Sequence, residues 1–204
     1  TRKAREALYA IEGNFKDMII EVIEDNPIRD KLAALNMVLE SDTVTEQEKG
    51  AIAEKALEVG LYTTPTDAPQ KKQLRELRFT AVNALRERKW AKATPLVIEH
   101  FNSVMVEYEK GIVSKSNFLE AIACLGAMGT PEAAQRLNLY LGLLNQYKEN
   151  ERAVDEQIVL AVSNNLGELG DSIASDNLLY AQYLNYSSTI RNAAKEAFNN
   201  LKRS

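Results

Sequence analysis

A five-residue phrase that occurs twice constrains the fold of this chain more than any other sequence feature. LGAMG at 125–129 returns 41 positions later as LGELG at 166–170. The residues that follow the two copies also correspond, because Leu137 recurs as Leu178. A repeat of this length is typical of units made of a helix, a glycine-bounded turn and a second helix, and such units bury their apolar faces against their neighbours. The sequence therefore predicts an array of helical hairpins.

Helix start and stop signals recur along the chain, whereas the alternating β-branched runs of strands are missing. The predicted helix starts are Asn26 before Pro27, Thr45 with Glu48 as a capping box, Thr130 before Pro131, and Asp171. The predicted helix ends are Gly60, Gly111, Gly129 and Gly170. Pro95 falls within a helical pattern and predicts either a kink or the true start of that helix, because proline removes one helical hydrogen bond.

These signals predict an all-α fold of five helical hairpins and one unpaired final helix. The predicted helices are 2–12, 14–24, 27–40, 45–60, 70–88, 90–109, 114–128, 131–147, 154–169, 171–185 and 188–202. The longest break is the proline-containing stretch 61–69, which we interpret as a long loop or a hinge. Residues 1–204 are interpreted as a single array, with weaker repeats in 1–60 and clearer ones in 70–204.

Three segments of the chain resemble the HEAT repeat family. IRNAAKEAF at 190–198 fits that family's pattern of an aliphatic residue, an arginine, paired alanines and a later alanine before a large apolar residue. LRFTAVNAL at 77–85 fits in the same register, and NPIRDKLAAL at 26–35 is a shorter version. The arginine position is held instead by Phe118 and Val159 in the two units that share the repeated phrase. The resemblance implies a right-handed α-solenoid whose small residues let neighbouring helices approach closely.

Members of that family present a curved surface to other macromolecules, and the second helices of the hairpins usually line its concave side. The resemblance therefore implies a binding protein, although a fold of this kind does not fix one activity. Some relatives are metal-dependent hydroxylases that need several His-Glu pairs. This chain has only Glu99-His100, so the sequence gives no support for that chemistry.

Composition narrows the possible classes of protein. The content of 45% hydrophobic and 26% charged residues is that of a soluble globular chain, and apolar stretches such as 137–144 are far shorter than a membrane span. The single cysteine, Cys124, excludes an internal disulfide and is expected to be a buried thiol. With one histidine and one cysteine, no metal site or cofactor is predicted. The sequence begins with Thr1 rather than Met, which suggests an excised or processed chain.

Charge is distributed unevenly along the chain. Residues 1–70 contain 8 basic and 14 acidic groups, residues 71–118 contain 10 and 5, and residues 119–204 contain 7 and 10. Five basic residues of the middle segment fall within one narrow arc of a helix: Lys71, Arg75, Arg78, Arg86 and Lys89. We call these residues the basic stripe. It could dock an acidic protein segment or a phosphate backbone, or it could be a solvated helix flank paired with nearby carboxylates.

Tyrosines concentrate in the last two full hairpins. Five of the eight lie on or next to their predicted second helices: Tyr140, Tyr147, Tyr180, Tyr183 and Tyr186. Tyrosine is common in binding surfaces because it gives a large contact area and a polar tip at low rotamer cost. The alternative is that most of these rings pack between hairpins with only the hydroxyl exposed.

The sequence thus predicts a non-enzymatic scaffold or adaptor that binds a protein partner on its concave helices. The predicted contact residues are Tyr140, Tyr180, Tyr183, Arg75, Arg78, Arg86 and Lys89. One alternative is a nucleic-acid-associated protein that uses the basic stripe, which a pI near 5.3 and a single basic unit disfavour. The other is a HEAT-like lyase or hydrolase, for which no constellation of catalytic residues is recognised.

Overall fold

The computed structural model describes residues 15–201, and this part of the chain contains ten α-helices, two 3₁₀-helices and no strand. The α-helices, in chain order, are α1 (Phe15–Asp25), α2 (Ile28–Leu39), α3 (Glu46–Tyr62), α4 (Ala68–Glu87), α5 (Thr94–Glu109), α6 (Lys115–Gly126), α7 (Pro131–Glu149), α8 (Glu156–Leu169), α9 (Ser175–Tyr183) and α10 (Ser188–Asn200). The 3₁₀-helices are Ala91–Ala93, before α5, and Ser172–Ala174, before α9.

For residues 15–201 the prediction of an all-α fold is confirmed. Each predicted helix from 14–24 onward has an observed counterpart, and the predicted helix 2–12 lies outside the described residues. Pro95 marks a true helix start, since it is the second residue of α5 and follows a separate 3₁₀ turn. The predicted loop 61–69 is shorter than expected, because α3 continues to Tyr62 and α4 begins at Ala68.

Most of the predicted helix starts are confirmed by their hydrogen bonds. Thr45 and Glu48 form a reciprocal capping box, and Thr130 accepts a bond from the backbone N–H of Ala133. Asp171 caps the 3₁₀ turn before α9 rather than an α-helix. The prediction for Asn26 is wrong: the residue that precedes α2 is Pro27, and no side chain caps the helix there.

Three of the four predicted glycine stops are confirmed by left-handed backbone angles. Gly111, Gly129 and Gly170 have φ of 67–68°, which glycine adopts without steric cost. The prediction that a helix ends at Gly60 is wrong, because Gly60 lies inside α3 and is buried. A Cβ at that position would come within 2.7 Å of Arg78 Cγ, so Gly60 serves close packing against α4.

The chain divides into two compact units, and the boundary lies between Trp90 and Ala91. In the first unit, α1 packs on α3 and α2 packs on α4, while consecutive helices also contact each other. In the second unit, α5, α7 and α9 pack in succession to form one layer, and α6, α8 and α10 form another. We call these the odd layer and the even layer. Within each unit, helices therefore contact both their neighbours in the chain and the next helix but one.

The repeated phrase occupies equivalent positions in the even layer. Leu125 and Leu166 are fully buried, and so are Leu137 and Leu178 in the odd layer. The glycine of each copy faces the next helix of the layer. A Cβ on Gly167 would lie 2.8 Å from the Cα of Ala197 in α10. Each copy of the phrase therefore places a buried leucine beside a glycine at a point where two helices approach closely.

Trp90 closes the first unit against α3. Its indole Nε1 donates to Glu54 Oε2 at 2.7 Å. A Cβ on Gly50 would approach the indole ring to 2.5 Å, so the absence of a side chain there provides the space for the ring.

A buried lysine of α2 caps the C-terminal end of α1. Lys31 is 5% exposed, and its Nζ donates to the backbone oxygens of Ile23 and Glu24 at 2.5 and 2.6 Å. These carbonyls belong to the last turn of α1, which has no intrahelical donor for them. Burial lowers the pKa of Lys31, and the nearby carboxylates of Asp25 and Glu24 offset part of that effect. The lysine therefore acts as a charged cap that joins α2 to α1.

Replacing Lys31 with Met is expected to lower the free energy of unfolding by about 1 kcal/mol, because two buried carbonyls lose their donor while the apolar stem is kept. Urea unfolding followed by circular dichroism measures this loss. Lys72→Met is the matched control, since the Lys72 side chain is 76% exposed and should change stability by less than about 0.5 kcal/mol. Equal stability of the Lys31→Met variant and the parent would contradict the capping role.

Candidate functional site

The structure separates the three predicted tyrosines into one core residue and two surface residues. Tyr140 is only 6% exposed, and its ring makes edge contacts with Phe101 and Phe118 at centroid distances of 5.6 and 5.7 Å. Burial raises its pKa well above the usual range. We therefore assign Tyr140 to the core of the second unit, which agrees with the alternative prediction that most of these rings are packed between helices.

Tyr180 and Tyr183 lie on the exposed side of α9. Their exposed fractions are 38% and 80%. The Tyr180 hydroxyl donates to Glu149 Oε1, at the end of α7, over 2.5 Å, and this hydrogen bond raises the pKa of Tyr180. Tyr183 is the most exposed large apolar side chain in the described part of the chain. An exposed aromatic ring of this size is a favourable contact for a protein partner.

Asparagines fix α9 against α7 below these rings. The Asn177 amide donates to Asn138 Oδ1 at 2.8 Å, and the Asn145 amide donates to the Asn177 carbonyl at 3.0 Å. Asn145 is 1% exposed, and its Oδ1 accepts the buried hydroxyl of Tyr186 at 3.3 Å. Because a buried amide that is bonded like that of Asn145 tolerates few alternative arrangements, these contacts fix the position of α9 along α7. Tyr180 and Tyr183 are thus presented from a rigid support.

In the second unit, the helices that expose large apolar side chains are those of the odd layer. Within residues 91–201, each exposed large apolar side chain lies on an odd-layer helix or in a connection. On the helices these are Val106, Leu139, Leu179, Tyr180 and Tyr183. We call these five residues the odd-layer surface. On α10, by contrast, Arg191, Asn192, Lys195 and Glu196 are exposed.

An open groove of about 660 Å³ lies at the C-terminal end of α7. Its walls come from the end of α7, the following turn and the end of α9, and they include Lys148, Glu149, Glu151, Arg152, Tyr183 and Leu184. We call this space the α7 groove. Tyr183 belongs to both the groove and the odd-layer surface, so the two features are continuous.

The turn after α7 is held by a Schellman-type pair of hydrogen bonds. The N–H of Glu151 donates to Lys148 O, and that of Arg152 donates to Tyr147 O. Glu151 has φ of 56°, in the left-handed region where glycine usually stands. Gly111 occupies the same place after α5, where the N–H of Gly111 donates to Tyr108 O and that of Ile112 donates to Glu107 O. This turn positions Lys148 and Arg152 on the groove wall.

The basic stripe belongs to the first unit, whereas the predicted tyrosines belong to the second. Arg78 is 7% exposed and packs against Gly60, which removes it from the accessible part of the stripe. Arg75 is half-buried, while Lys71, Arg86 and Lys89 are exposed. Lys89 adopts a left-handed φ of 47° at the turn after α4. The stripe therefore has fewer accessible cations than the sequence predicted.

The sequence did not predict two sets of surface residues. They are the groove cations Lys148 and Arg152 and the exposed apolar side chains of Leu139 and Leu179. A partial signal existed for Leu139, since it lies outside the inward arc that holds Leu137, Leu141 and Leu144. Lys148 and Arg152 carried no signal, because their position depends on how the α7–α8 turn closes beside α9.

No helix among residues 15–201 combines the length and apolar character that a membrane span requires. In the same residues, no group of three or more histidine, cysteine or acidic side chains is arranged to hold a metal ion. Cys124 is buried, as expected. No known protein family matches this chain, and no characterised protein matches it closely enough to count as a relative.

Proposed function

We propose that this chain is a non-enzymatic scaffold or adaptor that binds a protein partner on the odd-layer surface. The observation that carries the proposal is the contrast between the two layers of the second unit, one with exposed apolar side chains and the other with polar ones. Three of the exposed apolar side chains, those of Leu179, Tyr180 and Tyr183, lie within five residues on α9, and a cluster of exposed apolar groups commonly marks a contact surface.

The proposal includes a HEAT-like solenoid architecture, as the sequence resemblance implies. It is supported by the contact of each helix with the next but one in both units, and by the equivalent burial of the repeated leucines. In such an array the odd-layer helices would correspond to the second helices of the hairpins, which are the family's usual binding elements.

Within this surface, Tyr180 and Tyr183 are the proposed anchors. They offer large exposed rings one turn apart, on a helix that the asparagine contacts hold in place. Tyr140 is no longer included, because its ring is enclosed by Phe101 and Phe118. The basic stripe without the buried Arg78, that is Lys71, Arg75, Arg86 and Lys89, is a separate proposed electrostatic element.

Replacing Tyr180 and Tyr183 with Ala is expected to weaken partner binding at least about tenfold, since anchor tyrosines each contribute on the order of 1–2 kcal/mol. The measurement is affinity capture from the source cell at two salt concentrations, followed by titration of the captured protein. Tyr62→Ala is the matched control, because Tyr62 is 59% exposed but belongs to the first unit.

A partner retained equally by the double variant and the parent would contradict the assignment of these anchors. Capture of nucleic acid that is lost at modest salt would instead favour the alternative in which the basic stripe binds phosphates. Because Tyr180 and Tyr183 are exposed, their removal should leave the thermal unfolding midpoint nearly unchanged, which separates lost binding from lost folding.

A further inference from the structure

We infer that the odd-layer surface binds a basic amphipathic helix of the protein partner. The apolar stripe of that helix lies along the exposed apolar side chains, and its Lys or Arg residues meet carboxylates on both sides. This inference rests on the proposed function and specifies the chemistry of the partner. Three helices of the second unit, α5, α7 and α9, supply both the apolar and the acidic groups.

The three odd-layer helices run in the same direction. The hydroxyl of Thr130, just before α7, donates to that of Thr94, the first residue of α5, at 3.2 Å. About two turns further along both helices, Arg136 Nε donates to Asn102 Oδ1 at 2.7 Å. The contacts of α9 with α7 advance likewise, from the asparagine pair to the tyrosine–carboxylate bond described above. Residues early in each helix therefore lie towards one edge of the layer, and late residues lie towards the other.

One exposed apolar side chain of each helix lies level with those of its neighbours. Val106 and Leu139 follow the bonded pair of α5 and α7 by four and three residues. Leu139 and Leu179 follow the bonded asparagines of α7 and α9 by one and two residues. We call Val106, Leu139 and Leu179 the apolar band.

The length of the apolar band matches a short helix. Packed helices lie about 8–10 Å apart, so the band extends for about 16–20 Å across the layer. A helix of about 11–13 residues has this length, and its residues i and i+7 are about 10.5 Å apart. An apolar residue at every second turn of such a helix would therefore meet α5, α7 and α9 in succession.

Within α5, α7 and α9, all of whose residues the structure describes, every exposed charged side chain is acidic. These side chains are Glu99, Glu109, Glu132, Glu149 and Asp176, which we call the acidic border. The two basic residues of these helices, Arg136 and Lys148, are half-buried, and each lies over an aromatic ring. Lys148 also interacts with the carboxylate of Glu156. In total the three helices contain six acidic and two basic groups, so the charge that they present to a partner is negative.

The acidic border lies on both sides of the apolar band. Glu132 and Asp176 precede the band residues of α7 and α9, towards the N-terminal edge of the layer. Glu109 and Glu149 follow those of α5 and α7, towards the C-terminal edge. Among the described residues, Glu109, Glu132 and Asp176 form no ion pair. Carboxylates on both edges match a helix whose cations flank both sides of its apolar stripe.

The same charges disfavour other occupants. The phosphates of a nucleic acid or of an anionic lipid surface would meet the acidic border with like charge. A second copy of this chain that docked through the same surface would bring two acidic borders together. In an extended segment, alternate side chains point to opposite faces, so a cation next to an apolar residue would point away from the border.

The test is selection of phage-displayed helical peptides on the full chain. The library keeps an apolar stripe in a helix-forming background of about 15 residues, and both flanks carry Lys or Glu at about equal frequency. We expect enrichment of Lys on both flanks. A proline at the centre of the selected peptide should raise its Kd about tenfold or more, because proline breaks the helix.

Fluorescence anisotropy with the labelled selected peptide measures what the carboxylates contribute. The Glu132→Gln, Asp176→Asn double variant should raise the peptide's Kd about fivefold or more. Glu168→Gln with Glu196→Gln is the matched control, because it removes two exposed carboxylates from α8 and α10 and should leave the Kd unchanged. The Glu132→Lys, Asp176→Lys variant should select acidic peptides instead of basic ones, which a merely unfolded protein would not do.

Selected peptides without basic enrichment would overturn the inference, and so would an affinity that neither the Glu132, Asp176 double variant nor the central proline changes. If such peptides still lost affinity on replacement of Tyr180 and Tyr183 with Ala, the proposed function would stand without it. Peptides that depended on neither the carboxylates nor the tyrosines would count against both. Recovery of no binding peptide would also overturn the inference, while the capture experiment above tests the proposed function separately.

Discussion

Replacing Phe118 with Ala is expected to lower the free energy of unfolding of the second unit by about 3–5 kcal/mol. Phe118 is fully buried at the start of α6, where its ring stacks on Tyr108 at 5.1 Å and contacts Phe101 and Tyr140 at 5.7 Å. Removing it takes away a large apolar area and three ring contacts at once. Hydrogen–deuterium exchange of peptides from α5 to α7 locates the loss, and urea unfolding measures its size.

Two conservative variants separate the role of the ring from the role of volume. Phe118→Leu keeps most of the apolar volume and should cost less than half as much as Phe118→Ala. Tyr140→Phe keeps the ring and should change stability by less than about 1 kcal/mol, since Tyr140 contributes mainly through packing. A Phe118→Ala variant within 1 kcal/mol of the parent would show that this cluster does not hold the unit together.

Gly167→Ala is expected to destabilise the second unit by about 2 kcal/mol, although alanine is by far the better helix former. The new Cβ would lie 2.8 Å from the Cα of Ala197 and 2.9 Å from its Cβ. Since one of these atoms is backbone, α8 and α10 would have to move apart. The thermal unfolding midpoint and urea unfolding both measure this cost.

Gly142→Ala is the control, because Gly142 also lies inside a helix of the second unit, α7. There a new Cβ would come no closer than 3.2 Å to its nearest neighbour, the side-chain amide of Asn177. We expect a loss below about 1 kcal/mol. Equal losses for the two variants would mean that close helix approach is not what sets the glycine at 167.

The helix pattern was predictable from sequence because it depends on local chemistry. The capping box of Thr45 and Glu48 and the left-handed glycines after α5 and α8 involve residues close together in the chain. Gly60 was misinterpreted because its reason for being glycine is the approach of Arg78, a contact between two helices. Local signals carry no information about such approaches.

The candidate site was predicted only in part, for a similar reason. A tyrosine count cannot tell Tyr140 from Tyr183, although Tyr140 falls on the same arc as Leu137 and Leu144 and so shared the core pattern. The groove depends on the turn at Glu151 and on the end of α9, which meet only in the folded unit. Its cations could be named only once that arrangement was known.

The packing of Trp90 against Gly50 gives this protein an internal optical label. Trp90 is the only tryptophan in the chain, and it lies in the first unit with its indole bonded to Glu54. Selectively excited indole emission therefore follows the melting of that unit alone, whereas far-ultraviolet circular dichroism sums both. The difference between the two curves reveals whether the halves of the chain unfold together or one after the other.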